Sequence, residues 1–350
     1  DTELKAGEDY SAAFDSTTGF LTITMLAGGK GAAATAIKVS GKVIDPSKVT
    51  KEDVIGAVDP STGAETGAQV IRQVYPRLGI VPGLILAPGW SQIPEVGLAL
   101  AAKAAKINGV YSAMALLDLD TAKAKKYTDT KSVKEESGYT SPFCYPLWPC
   151  DRVGEYILAK SAVTGAMIQY MASDNEDVPN QSPSNHLLGV GGQCLEDGTE
   201  VYLDQDQANT VNGYGVTTAI NQNGYRLWGN YTGAYPASSD AKDIWFAVRR
   251  MFSWQGNNFI QTYFDEVDDP MNNVLVQSVV DSENIRCSAY APKYWAGASI
   301  EYKSDDNPKT AILAGTMKFR QHIAPYTPAQ EIVDIIDYDT DTLAAAVGGN

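Results

Sequence analysis

Two short runs of unbroken apolar residues constrain this chain more than any other feature. Leu84-Ile85-Leu86-Ala87 and Ala113-Met114-Ala115-Leu116-Leu117 carry no polar alternation, so a strand formed there needs cover on both faces. Between them Val96, Leu98, Leu100, Ala101 and Ala104 recur at helical spacing, and Ser91 stands where a cap for that helix belongs. Pro88-Gly89 closes the first run. Strand, helix and strand with short joins predict a βαβ unit, parallel and right-handed.

The rest of the 350-residue chain extends that unit into a large domain plus a smaller one. Residues 1–50 read as β structure. Gly19 to Leu26 alternates and is rich in β-branched residues, and Thr35 to Val43 keeps the same period after Gly28-Gly29. Two or three strands are not stable alone. This piece is therefore read as a small, incomplete β domain whose first strands lie upstream of Asp1. Beyond Asp45-Pro46, residues 51–350 read as the core domain. Helices are expected over Ser61 to Tyr75, Val153 to Met171 and Ile244 to Phe264, the last carrying Trp245, Phe246, Val248, Phe252 and Phe259. Pro270 is placed to start a further helix running toward Tyr290. Strands return near Ser299 to Tyr302 and Gly315 to Ile323, and Asp174 to Asn185 is a polar loop. The fold class is α/β (α+β): a mixed-sheet core with long helices and a small N-terminal β domain.

Composition excludes several functions. The net charge is -15 and the pI about 4.6, with no cluster of Lys and Arg. Nucleic acid and anionic membrane surfaces are poor partners for such a chain. No run of about 18 apolar residues occurs, so no direct membrane insertion is expected. The four cysteines form no CxxC pair and only two histidines are present, which argues against zinc and for reduced, mostly buried thiols.

Chemical motifs are equally sparse. Asp265, Glu266, Asp268 and Asp269 resemble a glycosidase carboxylate set less than a solvated helix end. Asp337, Asp339 and Asp341 share one face of a strand, but Thr342 stands where a calcium loop needs Gly. Gly189-Val190-Gly191-Gly192 lacks the Lys-Ser/Thr of a phosphate loop, and no GxSxG elbow accompanies His186 or His322. No catalytic residue, cofactor or metal is expected.

Several segments taken together resemble the contractile-tail sheath family. They are Ala87-Pro88-Gly89 after a strand, Asn180-Gln181-Ser182-Pro183-Ser184-Asn185 with Leu188-Gly189-Val190, and Asn223-Gly224-Tyr225-Arg226-Leu227-Trp228-Gly229-Asn230 with Thr232. Val248-Arg249-Arg250 and Ala324-Pro325-Tyr326-Thr327-Pro328-Ala329-Gln330-Glu331-Ile332 complete the order over residues 75–347. The family's closing motif has Glu directly after Ala, whereas Gln330 intervenes here. Residues 1–50 resemble a variable insertion of some sheath proteins.

The resemblance implies a structural subunit rather than an enzyme, polymerising with itself as a helical stack of hexameric rings around a tail tube protein. Baseplate and tail terminator proteins are the other implied partners. It implies a place in the virion tail, assembled in the host bacterial cytoplasm, and work drawn from two packings of one subunit. Residues 334–350 are read as a C-terminal linking arm, with apolar Ile332, Val333, Ile335, Ile336 and Tyr338 at its root; an ordinary last strand is the competing reading. Trp228, Arg249 and Arg250 are read either as internal contacts or as contacts to a neighbouring subunit. The N-terminal extension of sheath subunits lies outside this sequence, so the chain as given is expected to associate weakly. An acidic scaffold or surface protein unrelated to tails, or a hydrolase, are the alternatives. A virus tail, a bacteriocin and another injection device are not separable at this level.

Overall fold

The computed structural model describes residues 2–15, 18–41 and 45–348. Two compact units divide the chain, Asp1–Val49 and Thr50–Asn350. In the first, β1 (Tyr10–Phe14) pairs antiparallel with β2 (Leu21–Met25), Ala12 opposite Ile23. The buried Asp9 carboxylate accepts the backbone N–H groups of Lys5 at 2.9 Å and Lys30 at 2.7 Å, which ties the two flanks of the hairpin together. Those hydrogen bonds hold its carboxyl below the usual range. The strand expected over Thr35 to Val43 does not form in residues 35–41, and 42 and 43 lie outside the described residues. Ile37 and Val39 are exposed there, so the alternating pattern finds no face to bury.

The second unit follows the order α1 (Lys51–Ile55), α2 (Val74–Leu78), β3 (Leu84–Leu86), α3 (Pro94–Ala105), β4 (Met114–Asp118), α4 (Thr130–Ser137) and β5 (Cys144–Leu147). Next come β6 (Cys150–Val153), β7 (Tyr156–Leu158), α5 (Lys160–Ser173), β8 (Gly192–Cys194), α6 (Gln205–Gly213), β9 (Thr218–Asn221) and β10 (Tyr225–Trp228). The chain ends with α7 (Ala241–Ile244), α8 (Phe246–Thr262), α9 (Asn273–Ala289), β11 (Trp295–Glu301), α10 (Lys309–Leu313), β12 (Arg320–Pro325) and α11 (Thr340–Ala346).

The expected βαβ unit is present. β3 and β4 run parallel with α3 between them, and β5 adds a third parallel strand. A parallel bridge from Leu147 to Thr217 continues the sheet into the antiparallel β9–β10 pair, and an antiparallel bridge joins Leu187 to Arg226 beyond it. The absence of alternation in β4 has its expected meaning. Ala115 and Leu117 face a core with Ile85, Val96, Leu100 and Ala104, while Met114 and Leu116 face another with Tyr145, Ile168 and Phe246. Each fully buried Leu or Met contributes roughly 1.5–3 kcal/mol relative to exposure. A sheet covered on both sides in this way is a stiff platform. β6 pairs with β7 and β8, and β11 with β12, in smaller sheets.

Local details differ from the sequence expectations. Ser91 does not cap α3: Ile93 holds the cap position with Pro94 first in the helix, and the Ser91 hydroxyl lies 2.9 Å from the Asp118 carboxylate instead. Leu98 is exposed, because the buried stripe of α3 is Val96, Leu100, Ala101 and Ala104. Residues 61–66 are a turn and irregular chain with one bridge from Glu65 to Val58, and only a 3-10 segment from Gly67 to Gln73 leads into α2, since Gly63 and Gly67 take positive φ. The helix expected from Val153 starts at Lys160, because Gly154 at φ +59 turns β6 back into β7. Pro270 does not start α9: the Asn272 side chain caps it, accepting from Leu275 N–H at 2.9 Å. The expected Gly315 strand begins at Arg320. Asp337 and Asp339 are not in a strand, and Asp339 caps α11. All four thiols are free, three of them buried and Cys150 partly so. Among the described residues no helix is long and apolar enough to cross a membrane.

Candidate functional site

The motif segments at 180–190 and 223–232, distant in sequence, are laced together. Asn223-Gly224 forms the turn of the β9–β10 hairpin, Asn223 at φ 55 and Gly224 at φ 104. The 180–190 passage then lies along β10: Asn185 N–H donates to Leu227 O at 2.6 Å, Leu227 N–H to His186 O at 3.0 Å and Leu188 N–H to Tyr225 O at 2.9 Å. The Ser182 hydroxyl donates to the Asn230 amide oxygen at 2.5 Å, and Gly229 N–H to Ser184 Oγ at 3.1 Å. Gly229 has no room for a side chain, as a Cβ there would stand 2.5 Å from Thr217 Oγ1. Thr232 completes the lacing: its hydroxyl donates to Asp243 O at 2.5 Å. These motifs therefore build a scaffold, and their chemistry is hydrogen-bond satisfaction.

The three candidate contact residues separate. Trp228 is half-buried and donates its ring N–H to Asn209 Oδ1 at 2.9 Å. The Arg249 guanidinium lies 3.2 Å from Asp243 Oδ1 and 4.7 Å from the Phe143 ring centroid. Burial pulls its pKa down, and the Asp243 carboxylate opposes that pull. Arg250 has no carboxylate within ion-pair reach among the described residues and lies 5.6 Å from the Phe246 ring. Burial alone pulls it down to about 10.

Two buried charge clusters, which the sequence reading missed, brace the sheet beneath. The Asp118 carboxylate, at the C-terminal end of β4, accepts from Ser161 N–H at 2.8 Å, Ser161 Oγ at 2.5 Å and Ser91 Oγ at 2.9 Å. Burial pushes its carboxyl up, against those hydrogen bonds. Lys160 and Asp151 pair with neither side chain reaching solvent. An Asp closing an apolar run, and a Lys at a helix start, were the only signals in sequence. Among the described residues no group of His, Cys, Asp and Glu is arranged to hold a metal ion.

The C-terminal segment is the feature left without internal cover. Tyr326 donates its hydroxyl to Pro292 O at 3.0 Å, and Tyr231 stacks on Tyr235 and Trp245. Gln330, the residue that departs from the closing motif, is exposed. After it the backbone is irregular to Asp339, with Ile332 at 89% and Ile336 at 87% exposure. Val333, Ile335 and Tyr338 are also exposed. Among the described residues no strand of this chain pairs with residues 331–339. Glu331, Asp334, Asp337, Asp339 and Asp341 supply charge here, with no Lys or Arg from 331 to 348.

No family model matches the chain. The tail sheath protein of Burkholderia phage BcepMu is 26% identical over 338 residues, covering 91% of this chain and 68% of that protein. The tail sheath protein of Escherichia phage P2 is 23% identical over 294 residues, covering 81% of this chain and 69% of that protein. Among solved structures, the sheath complex of an extracellular contractile injection system in its contracted state aligns with a TM-score of 0.62 at 16% identity, over 79% of this chain and 76% of that one.

Proposed function

We propose that this chain, a relative of the contractile tail sheath proteins of phages, is a structural subunit of a contractile sheath. It polymerises with itself and draws work from a change of packing between subunits. The observation that carries the reading is the pairing of a stiff, doubly covered sheet with an uncovered apolar tail: the one keeps each subunit rigid while the other links it to the next. Apolar side chains in an extended segment stabilise an assembly by leaving water against a neighbour, and an added strand satisfies the backbone there.

In this reading residues 334–350 are the linking arm, rooted at Ile332, Val333, Ile335, Ile336 and Tyr338, with residues 349 and 350 outside the described residues. Residues 51–350 are the sheath core, and residues 1–50 an insertion on it. A tail tube protein, a baseplate and a tail terminator are the proposed partners, in a tail assembled in the host cytoplasm. The role is structural, without a catalytic residue or cofactor.

Deleting residues 334–350 tests the arm. The expected product is a folded subunit with unchanged thermal unfolding that no longer enters polymers. Normal polymer formation by the shortened subunit would overturn the assignment.

A further inference from the structure

β6 and β8 pair antiparallel with Cys150 directly opposite Cys194. On its other side Cys194 faces Glu200, where Val201 N–H donates to Gln193 O at 2.9 Å and Leu195 N–H to Thr199 O at 2.8 Å. Those bonds use the residues flanking Cys194, so the N–H and C=O of Cys194 itself point toward Cys150. An opposed pair of this kind has its Cα atoms about 5.5 Å apart and both side chains on one face. A disulfide takes a Cα separation of about 4.4–6.8 Å, so the backbone already meets that requirement. The Cβ atoms of such a pair stand about 5.5 Å apart, against roughly 3.5–4.5 Å in a relaxed disulfide, so a bond here draws the strands together. A strained bond of that sort is the readily reduced kind. Both thiols are free, Cys194 buried and Cys150 reaching the surface in part. Burial pushes the Cys150 thiol up to about 12, with Asp118 and Cys194 adding to the push. Cys144 stands opposite Ala115 and Cys287 lies on α9, so this is the pair of cysteines that the topology brings together.

We propose that Cys150 and Cys194 are a reversible redox pair, which closes to a cross-strand disulfide when a small-molecule disulfide is in excess over its thiol. The Cys150 sulfur, the more exposed, gives its proton to solvent and attacks as the thiolate. The S–S bond of the oxidant breaks; one half leaves and takes up a proton, and the other stays on Cys150. The Cys194 thiolate then attacks the Cys150 sulfur and releases the second half as a thiol. Two protein S–H bonds are exchanged for one S–S bond, and the oxidant is reduced to two thiols. Excess thiol reverses both steps. In a reducing compartment the pair stays open, and in an oxidising one it ties β6 to β8. The loop it closes, residues 151–193, holds α5, whose Met167 and Ile168 pack on the central sheet, and the 180–190 passage that lies along β10. Closing that loop restricts the unfolded chain and so stabilises the fold. The pair needs no polymer and stands apart from the sheath reading.

The experiment incubates the 350-residue chain with oxidised glutathione, reads the intact mass, then blocks the remaining thiols and maps linked peptides by mass spectrometry. The expected result is a mass lower by two hydrogens, a peptide pair joining Cys150 to Cys194, and recovery of all four free thiols in excess reduced glutathione. Buried thiols exchange slowly, so the same reading is taken on chain unfolded in urea and refolded in a glutathione mixture, where access is no obstacle. Four free thiols in both readings, a bond to Cys144 or Cys287, or arrest at a glutathione adduct on Cys150 overturns the pair. The oxidised chain is also expected to unfold at a temperature several degrees above the reduced one, a gain absent in Cys150→Ser. An unchanged or lower unfolding temperature overturns the stabilising role.

Discussion

Arg249 and Asp243 are joined at 3.2 Å, from the first turn of α8 back to α7, while Arg250, one residue on, points its charge toward an open cleft. Adjacent arginines thus do different work. Arg249→Ala is expected to lower the stability of the isolated chain by about 1.5–3 kcal/mol, the range for a hydrogen bond to a charged group. Arg250→Met keeps the stem and removes a desolvated, unpaired charge, so the change is expected within about 1 kcal/mol. Urea unfolding of both variants decides it, and equal losses would contradict the division of roles.

The buried Lys160–Asp151 pair makes a stronger demand. Lys160→Met leaves the Asp151 carboxylate buried alone, at an expected cost of about 3–5 kcal/mol. The double variant Lys160→Met, Asp151→Leu removes both charges and is expected to recover most of that loss. A double variant less stable than the single one would show that the pair is a net stabiliser.

Lys134 gives a pH dependence. It is buried, donates to Tyr214 O at 2.9 Å and Tyr235 O at 2.5 Å, and burial pulls its pKa from 10.5 to about 8. Between pH 8 and 10.5 the unfolded chain keeps a proton that the folded chain has lost, so this group's contribution to stability rises with pH across that window. Buried Cys144, pushed up to about 12, acts in the opposite direction above pH 9. The difference between wild type and Lys134→Met isolates the lysine. It is expected to shift in favour of wild type by on the order of 3 kcal/mol from pH 8 to 10.5. Parallel stability curves would contradict the assignment.

The central sheet was legible because Leu84–Ala87 and Ala113–Leu117 admit one environment, burial between two cores; the aromatic residues of α8 divide, Phe246 packing on that sheet while Phe259 meets Tyr263 and Phe319. Short-range geometry was harder to see. Gly154 turns the chain where helical spacing suggests continuation, and Ser91 is drawn from a capping role to Asp118 by a contact 27 residues away. Alternation in Thr35 to Val43 was misleading, because a period of two states which side a strand would bury and not whether a partner exists. At the candidate site the exposed tail was visible as apolar residues near acids. The separation of Arg249 from Arg250 was not, since it depends on Asp243 and Phe143 arriving through the fold.

The central claim is that this subunit changes its packing while keeping its fold. Cryo-electron microscopy of the tail particle that contains this chain, before and after triggered contraction, measures it. The expected result is two helical lattices of the same subunit around a tube, with a shorter rise after contraction and an unchanged β3–β4–β5–β9–β10 sheet. Density for this chain in a single lattice that does not shorten, or no density for it in the sheath, would contradict the account.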